Sequence, residues 1–361
     1  MDFTRLSSAH PPQALAQPAR RRAGAFSQVL CGFLALALAA VAAPTPSLAG
    51  TVTYTPVTTT VNGLDMTIFT KPTDNGGALR VATYGKNLWF AEHDTGNFVR
   101  FSLAGVGNLF AIPDPGAIVF GIAKGPDKAL WFSVWNQPTV GRVTPGGAFT
   151  LFNTGTAVTD SNDILAGPDG NLWFATDFQG LGRTTPAGVT QFFNTLTNGS
   201  QTTGVTVGGD GNIWYVQCCP STPQIGRMAT DGSGVAQFDV GFGAAGFSFG
   251  IASTKTRIWF VDPAHRRIGR INFDGTHLKY FTAGLTGDPA AIVDGPDGNL
   301  YFAESQSQVG RITPAGVITE YPIPGLAGTT NFPVLGMSVG PDKNIWFVSN
   351  AHAQVGMLKI Q

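Results

Sequence analysis

The sequence predicts an all-β protein: a seven-bladed β-propeller of four-stranded antiparallel blades, closed by an N-terminal strand that completes the last blade. Two observations lead there. The stretch GPDGNLWFA at 167–175 returns as GPDGNLYFA at 295–303, and in altered form at 125, 208 and 340. Aligned on its aromatic residue, the repeat gives Trp89, Trp131, Trp173, Trp214, Trp259, Tyr301 and Trp346, spaced 42, 42, 41, 45, 42 and 45 residues apart. A period of about 42 residues belongs to propeller blades, one four-stranded sheet per repeat.

Each unit parses into strands from local chemistry. A short apolar strand such as FGIAKG (120–125) enters a PDG or PDK turn, where Pro presets φ and Gly supplies positive φ. NLWFA follows as the second strand. After a variable loop comes a third, as VGRVTP, IGRMAT, IGRINF or VGRITP, ending in a turn such as TPAG at 185–188 and 313–316. The fourth strand alternates in polarity, as in VTQFFNT (189–195), LKYFTAG (278–284) and VITEYPIP (317–324). No window shows helical periodicity. MTIFTKP at 66–72 has the form of a fourth strand but precedes the first repeat, whereas the last repeat stops at its third strand, VGMLKIQ. That arrangement predicts that MTIFTKP closes the seventh blade and covers an edge otherwise open to aggregation. Arg142, Arg183, Arg227, Arg270 and Arg311 recur at one strand position, which points to a packing or hydrogen-bonding device.

Apolar residue types make up 43% of the chain, charged ones only 12%, and there are 47 glycines, a profile suited to many turns and to solvent faces of Thr, Ser, Asn and Gln. The 22 basic and 22 acidic residues cancel, so there is no electrostatic footprint for nucleic acid or an anionic membrane surface.

The first fifty residues differ in kind. Arg20, Arg21 and Arg22 precede an apolar run from Val29 to Ala43 and then PTPSLAG, the pattern of a signal peptide cut after Ala49. The run of 15 residues falls short of the roughly 20 that a membrane-crossing helix needs. The expected organisation is therefore a signal peptide over 1–49, an N-terminal extension over 50–63 and the propeller over 64–361, with a secreted or periplasmic product. Cys31 leaves with the signal. Cys218 and Cys219 remain; a bond between them is strained, because adjacent Cα atoms lie about 3.8 Å apart against the usual minimum of about 4.4 Å. Either that disulfide or two free thiols is compatible with the sequence.

GPDGNLWF, followed about ten residues later by VGRITPAGVITEYPIP, resembles the repeat of the virginiamycin B lyase family, the streptogramin-opening lyases. The resemblance runs from about residue 64 to the C-terminus. It implies a magnesium-dependent elimination that opens a cyclic depsipeptide, with histidine as general acid or base and carboxylates that help hold the metal. The matching positions are substituted here. Ala290 and Leu335 stand at the two histidine positions, Pro333 at the accompanying glutamate and Asn350 at the carboxylate after the last tryptophan strand. None of these ionises to move a proton. Magnesium is thus a cofactor only if the lyase chemistry is retained. The same inner position around the ring reads Leu79, Phe120, Asn162, Thr203, Phe249, Ala290 and Leu335, either a pocket for an apolar or aromatic ligand or a packed channel mouth.

The loops after the tryptophan strands hold the remaining candidates: Glu92, His93 and Asp94; Trp135; Asp177; Cys218 and Cys219; Asp262 and His265; Glu304; and His352. Only AEHDTG sets a base between two carboxylates, which makes His93, with Glu92 and Asp94, the weak catalytic candidate. Glu92 and Glu304 also occupy the glutamate position that the family repeats in most blades, which implies a structural part. His277 is expected on an exposed strand. Phe120, Trp135, Asp177, Phe249, Asp262, His265 and Glu304 form the expected ligand face. Two function classes follow: an exported propeller that binds a small molecule or a protein at its mouth without lyase chemistry, or a diverged lyase or metal-dependent lactonase-like enzyme acting at the same face.

Overall fold

A computed structural model describes residues 48–73, 77–92, 95–114, 116–155, 161–177, 179–197, 200–218, 223–242, 250–326, 334–349 and 353–360. Seven antiparallel sheets follow one another along the chain. Blade one runs outward from β4 (Ala78–Tyr84) through β5 (Asn87–Glu92) and β6 (Asn97–Ser102) to β7 (Val106–Ala111). The inner strands of blades two to seven are Val119–Lys124, Ser161–Ala166, Gln201–Val207, Ile251–Ser253, Pro289–Asp294 and Val334–Val339.

The predicted closure is present, and the N-terminal extension adds to it. Before β4 lie β1 (Leu48–Thr53), β2 (Thr55–Val61) and β3 (Leu64–Thr70). β3 pairs with Gln354–Leu358 as the fourth strand of blade seven, in a register that sets Ile68 against Gly356. β2 then pairs with β3, and β1 pairs with β7, so blades seven and one each carry a fifth outer strand. The chain crosses between the two blades at Tyr54, whose N–H donates to the Gly105 carbonyl at 2.8 Å and whose buried ring meets Phe101 edge-on at 5.0 Å. On the same seam Trp346 stacks on Phe69 at 5.6 Å and meets Phe101 at 6.2 Å.

The repeated motif is a packing unit. Every aromatic anchor is buried, and in six blades it stands directly opposite the arginine of the third strand, as Trp131 opposite Arg142 and Trp173 opposite Arg183; in blade seven Met357 takes that place. The PDG or PDK aspartate reads the indole N–H: Trp131 Nε1 donates to Asp127 at 2.9 Å, Trp173 to Asp169 at 3.1 Å and Trp346 to Asp342 at 2.9 Å. Arginine ties its blade to the turn of the next, as Arg183 Nη1 to the Thr230 carbonyl at 2.9 Å and Arg227 Nη1 to that of Phe273 at 2.8 Å. The glycine of VGR has a steric cause. At Gly141, Gly226, Gly310 and Gly356 an added Cβ meets the facing aromatic ring at 2.0 Å. His277, expected on a strand, is exposed as expected but lies outside any strand, with φ 57°, two positions before the strand Lys279–Phe281.

Candidate functional site

Antiparallel order puts the loops after the second strands and the segments entering the inner strands at one end of the ring. There the inner strands begin irregularly. Register shifts separate Ala78 from Val81, Val119 from Ile122, Ser161 from Ile164, Thr202 from Val205, Pro289 from Ala291 and Val334 from Gly336. Such bulges re-aim side chains where they occur. Leu79, Phe120, Asn162, Thr203 and Ala290, the inner ring read from the sequence, sit in these bulges; Asn162, Thr203 and Ala290 are buried, Leu79 and Phe120 half-buried. Phe249 lies outside the described residues, as do Pro333, Asn350 and the side chain of Leu335.

One position further along, the ring reads Arg80, Gly121, Asp163, Gly204, Gly250, Ala291 and Gly336. The small residues fit a tight throat: a Cβ on Gly121 meets the Asn162 carbonyl at 2.8 Å, and one on Gly336 meets the Leu79 carbonyl at 2.8 Å. Arg80 and Asp163 break the pattern with opposite charges. Both line a cavity of about 170 Å³ whose other walls include Ile122, Ile251, Ile292 and Met337. The Arg80 guanidinium lies over the Phe120 ring at 4.9 Å and donates to the Leu79 carbonyl at 3.1 Å. Asp163 accepts the Ile164 N–H at 3.1 Å. Burial pushes the Asp163 carboxyl above its ordinary range, opposed by Arg80; burial likewise lowers Arg80, opposed by Asp163. Neither residue belongs to a motif, and their one sequence signal is charge at a position otherwise held by Gly or Ala.

Most loop carboxylates are bound up in the protein. Buried Glu92 takes hydrogen bonds from Lys71 at 2.9 Å, Thr95 at 2.7 Å and Tyr54 at 3.3 Å. Asp177, also buried, accepts from Asn162 Nδ2 at 3.0 Å, and that amide donates again to the Thr202 carbonyl at 2.8 Å. Asp262 is buried with Oδ2 held by Arg267 Nε at 2.7 Å and paired with His265 Nδ1 at 2.8 Å, while its Oδ1 has no hydrogen-bond partner among the described residues. Glu304 is buried and accepts the Gly287 N–H at 2.9 Å. These acids brace loops, and no three metal-ligating side chains converge among the described residues.

Trp135 is 43% exposed, and His265 turns one edge to solvent from the short 3-10 turn Pro263–His265. Cys218 is buried with its sulfur 3.9 Å from Gln201 Oε1; Cys219 lies outside the described residues, as do His93, Asp94 and His352. Among the described residues the structure thus sets Arg80 over Phe120 and puts Arg80 and Asp163 on the wall of one cavity.

A model described as the virginiamycin B lyase family matches residues 51–245 and 220–361. Among solved structures the chain is similar to a streptogramin B lyase, at 24% identity and TM-score 0.73 over 82% of this chain and 97% of that one. It is also similar to a catalytically inactive histidine-to-alanine variant of virginiamycin B lyase from Staphylococcus aureus with quinupristin, at 25% identity and TM-score 0.73 over 82% and 100% of the two chains. A gluconolactonase from Xanthomonas campestris shares the fold alone, at 13% identity and TM-score 0.53 over 86% and 97%. Among curated proteins no sequence matches.

Proposed function

The chain belongs to the virginiamycin B lyase family, and from that premise we propose that it is an exported propeller that binds a ligand at its channel entrance without the family's ring-opening chemistry. The observation that carries the reading is the methyl group of Ala290 at a histidine position of the family motif, buried in the bulge that opens the inner strand of blade six. Replacing one histidine with alanine leaves the similar Staphylococcus aureus enzyme catalytically inactive. An elimination needs a group that takes a proton from carbon, and a positioned acid or base is typically worth about 10²–10⁴-fold.

Export rests on the arginines, the apolar run and the small-residue site that precede Gly50, and it makes residues 1–49 a signal peptide and the product secreted or periplasmic. The exposed ring of Trp135 and the half-buried ring of Phe120, both on blade two, supply apolar contact for the ligand. Incubation with a B-type streptogramin and magnesium, followed by mass spectrometry, tests the chemical half of the proposal. Intact macrocycle is expected, and efficient linearisation overturns it. N-terminal sequencing of the exported protein tests the other half, with Gly50 expected first and a soluble cytoplasmic chain starting at Met1 as the contrary result.

A further inference from the structure

We propose that Arg80 and Asp163 form a two-charge cradle for a zwitterion of amino-acid size, with a carboxylate on the guanidinium, an ammonium on the Asp163 carboxylate and an apolar side chain against Ile122, Ile251, Ile292 and Met337. The cradle rests on the reading of the chain as a binding propeller and names the ligand class of its site.

At the same point of the inner strand the other blades carry Gly121, Gly204, Gly250, Ala291 and Gly336, so the ring closes without any side chain beyond a methyl. A guanidinium and a carboxylate, each only half-buried, break that pattern with opposite charges. They stand on blades one and three, not on neighbouring blades, and both border one cavity of about 170 Å³. That volume is below the roughly 300 Å³ at which drug-sized pockets begin, so it suits a molecule of amino-acid size. Its walls divide by chemistry into one cation, one anion and an apolar remainder. Phe120 beneath the Arg80 guanidinium fixes the cation on one side. The Asp163 carboxyl, raised by burial even with Arg80 acting on it, is a group that gains from a further cation.

Calorimetric titration of the mature chain with leucine, isocaproate and isoamylamine tests this, since the three share an apolar chain and carry both charges, the carboxylate alone and the ammonium alone. Leucine is expected to bind, and each single-charge analogue to bind about tenfold more weakly or less, the effect of losing one charge-assisted hydrogen bond. The variants R80G and D163G restore the residue that most blades carry there. Each is expected to weaken leucine about tenfold, R80G alone to weaken isocaproate and D163G alone to weaken isoamylamine. The wild-type ligand series needs no variant to fold. Absence of leucine binding, equal binding of leucine and either analogue, or leucine binding unchanged in both variants overturns the cradle and leaves Arg80 and Asp163 serving each other. Any of these results leaves the proposed loss of ring opening standing, since that is read by streptogramin linearisation alone.

Discussion

Lys71 Nζ lies 2.9 Å from Glu92 Oε1 and 3.0 Å from Oε2, and both side chains are nearly sealed from water. Lys71 directly follows the closing strand of blade seven, and Glu92 ends the second strand of blade one, so one buried ion pair bolts the two ends of the ring together. The Tyr54 hydroxyl points at the same carboxylate, and burial together with the Glu92 charge pushes its phenol well above the ordinary range.

Breaking that pair is expected to be severe. Lys71→Met leaves the Glu92 carboxylate buried without its cation, and Glu92→Gln does the reverse, each at about 3–5 kcal/mol. The double variant should cost clearly less than the sum of the two, because neither charge is then left facing an empty partner. Urea unfolding of the four proteins measures the coupling; additive losses would show that the pair does not act as a unit.

The N-terminal strands make a graded prediction. Deleting residues 50–63 removes most of β1 and all of β2, whose outward surfaces are largely exposed, and leaves the four-stranded blades intact. A lowered melting temperature with a folded protein is expected. Extending the deletion to residue 72 also removes β3 and exposes the edge of Gln354–Leu358, and aggregation or loss of folding is expected. Thermal unfolding with light scattering separates the two outcomes, and equal behaviour of the truncations would contradict the closure.

Glu304 predicts a pH dependence of stability. Burial, with the neighbouring Glu320 carboxylate second, raises its pKa from 4.5 to about 8. The folded state therefore binds more protons than the unfolded one between those values, so stability falls as pH rises through the window, the stabilisation being full below 4.5 and gone above about 8. Glu304→Gln should flatten that slope in denaturant titrations at several pH values. A slope unchanged by the substitution would show that another group carries it.

The blade was legible in the sequence because it is written seven times, and repetition marks a packing device: the tryptophan, the PDG turn and the VGR strand recur together. The closing strand could be read from its fourth-strand pattern standing before the first repeat. The outer strands β1 and β2 could not, since TVTYTPVTTTV carries no repeat signal and its partners are set only by the closed ring. The entrance was half legible. Phe120 came from aligning repeats and the substituted histidine positions from the resemblance to the family, but Arg80 and Asp163 enter the throat because bulges re-aim them, and a bulge is a register event between strands. Their sequence signal was a departure from Gly at a position whose structural meaning was not yet visible. The loop acids looked like an open ligand face because sequence cannot tell an exposed carboxylate from one braced by Lys71, Asn162 or Arg267.

The central claim, binding without ring opening, is tested most directly by initial rates. This protein and a streptogramin B lyase are given the same B-type streptogramin and magnesium, and linear product is quantified over time. A rate at least about 10²-fold below that of the lyase is expected, from the absence of a positioned histidine at Ala290 and Leu335. Comparable rates would contradict the account, all the more if His93→Ala abolished them and so located the base beside Glu92 and Asp94.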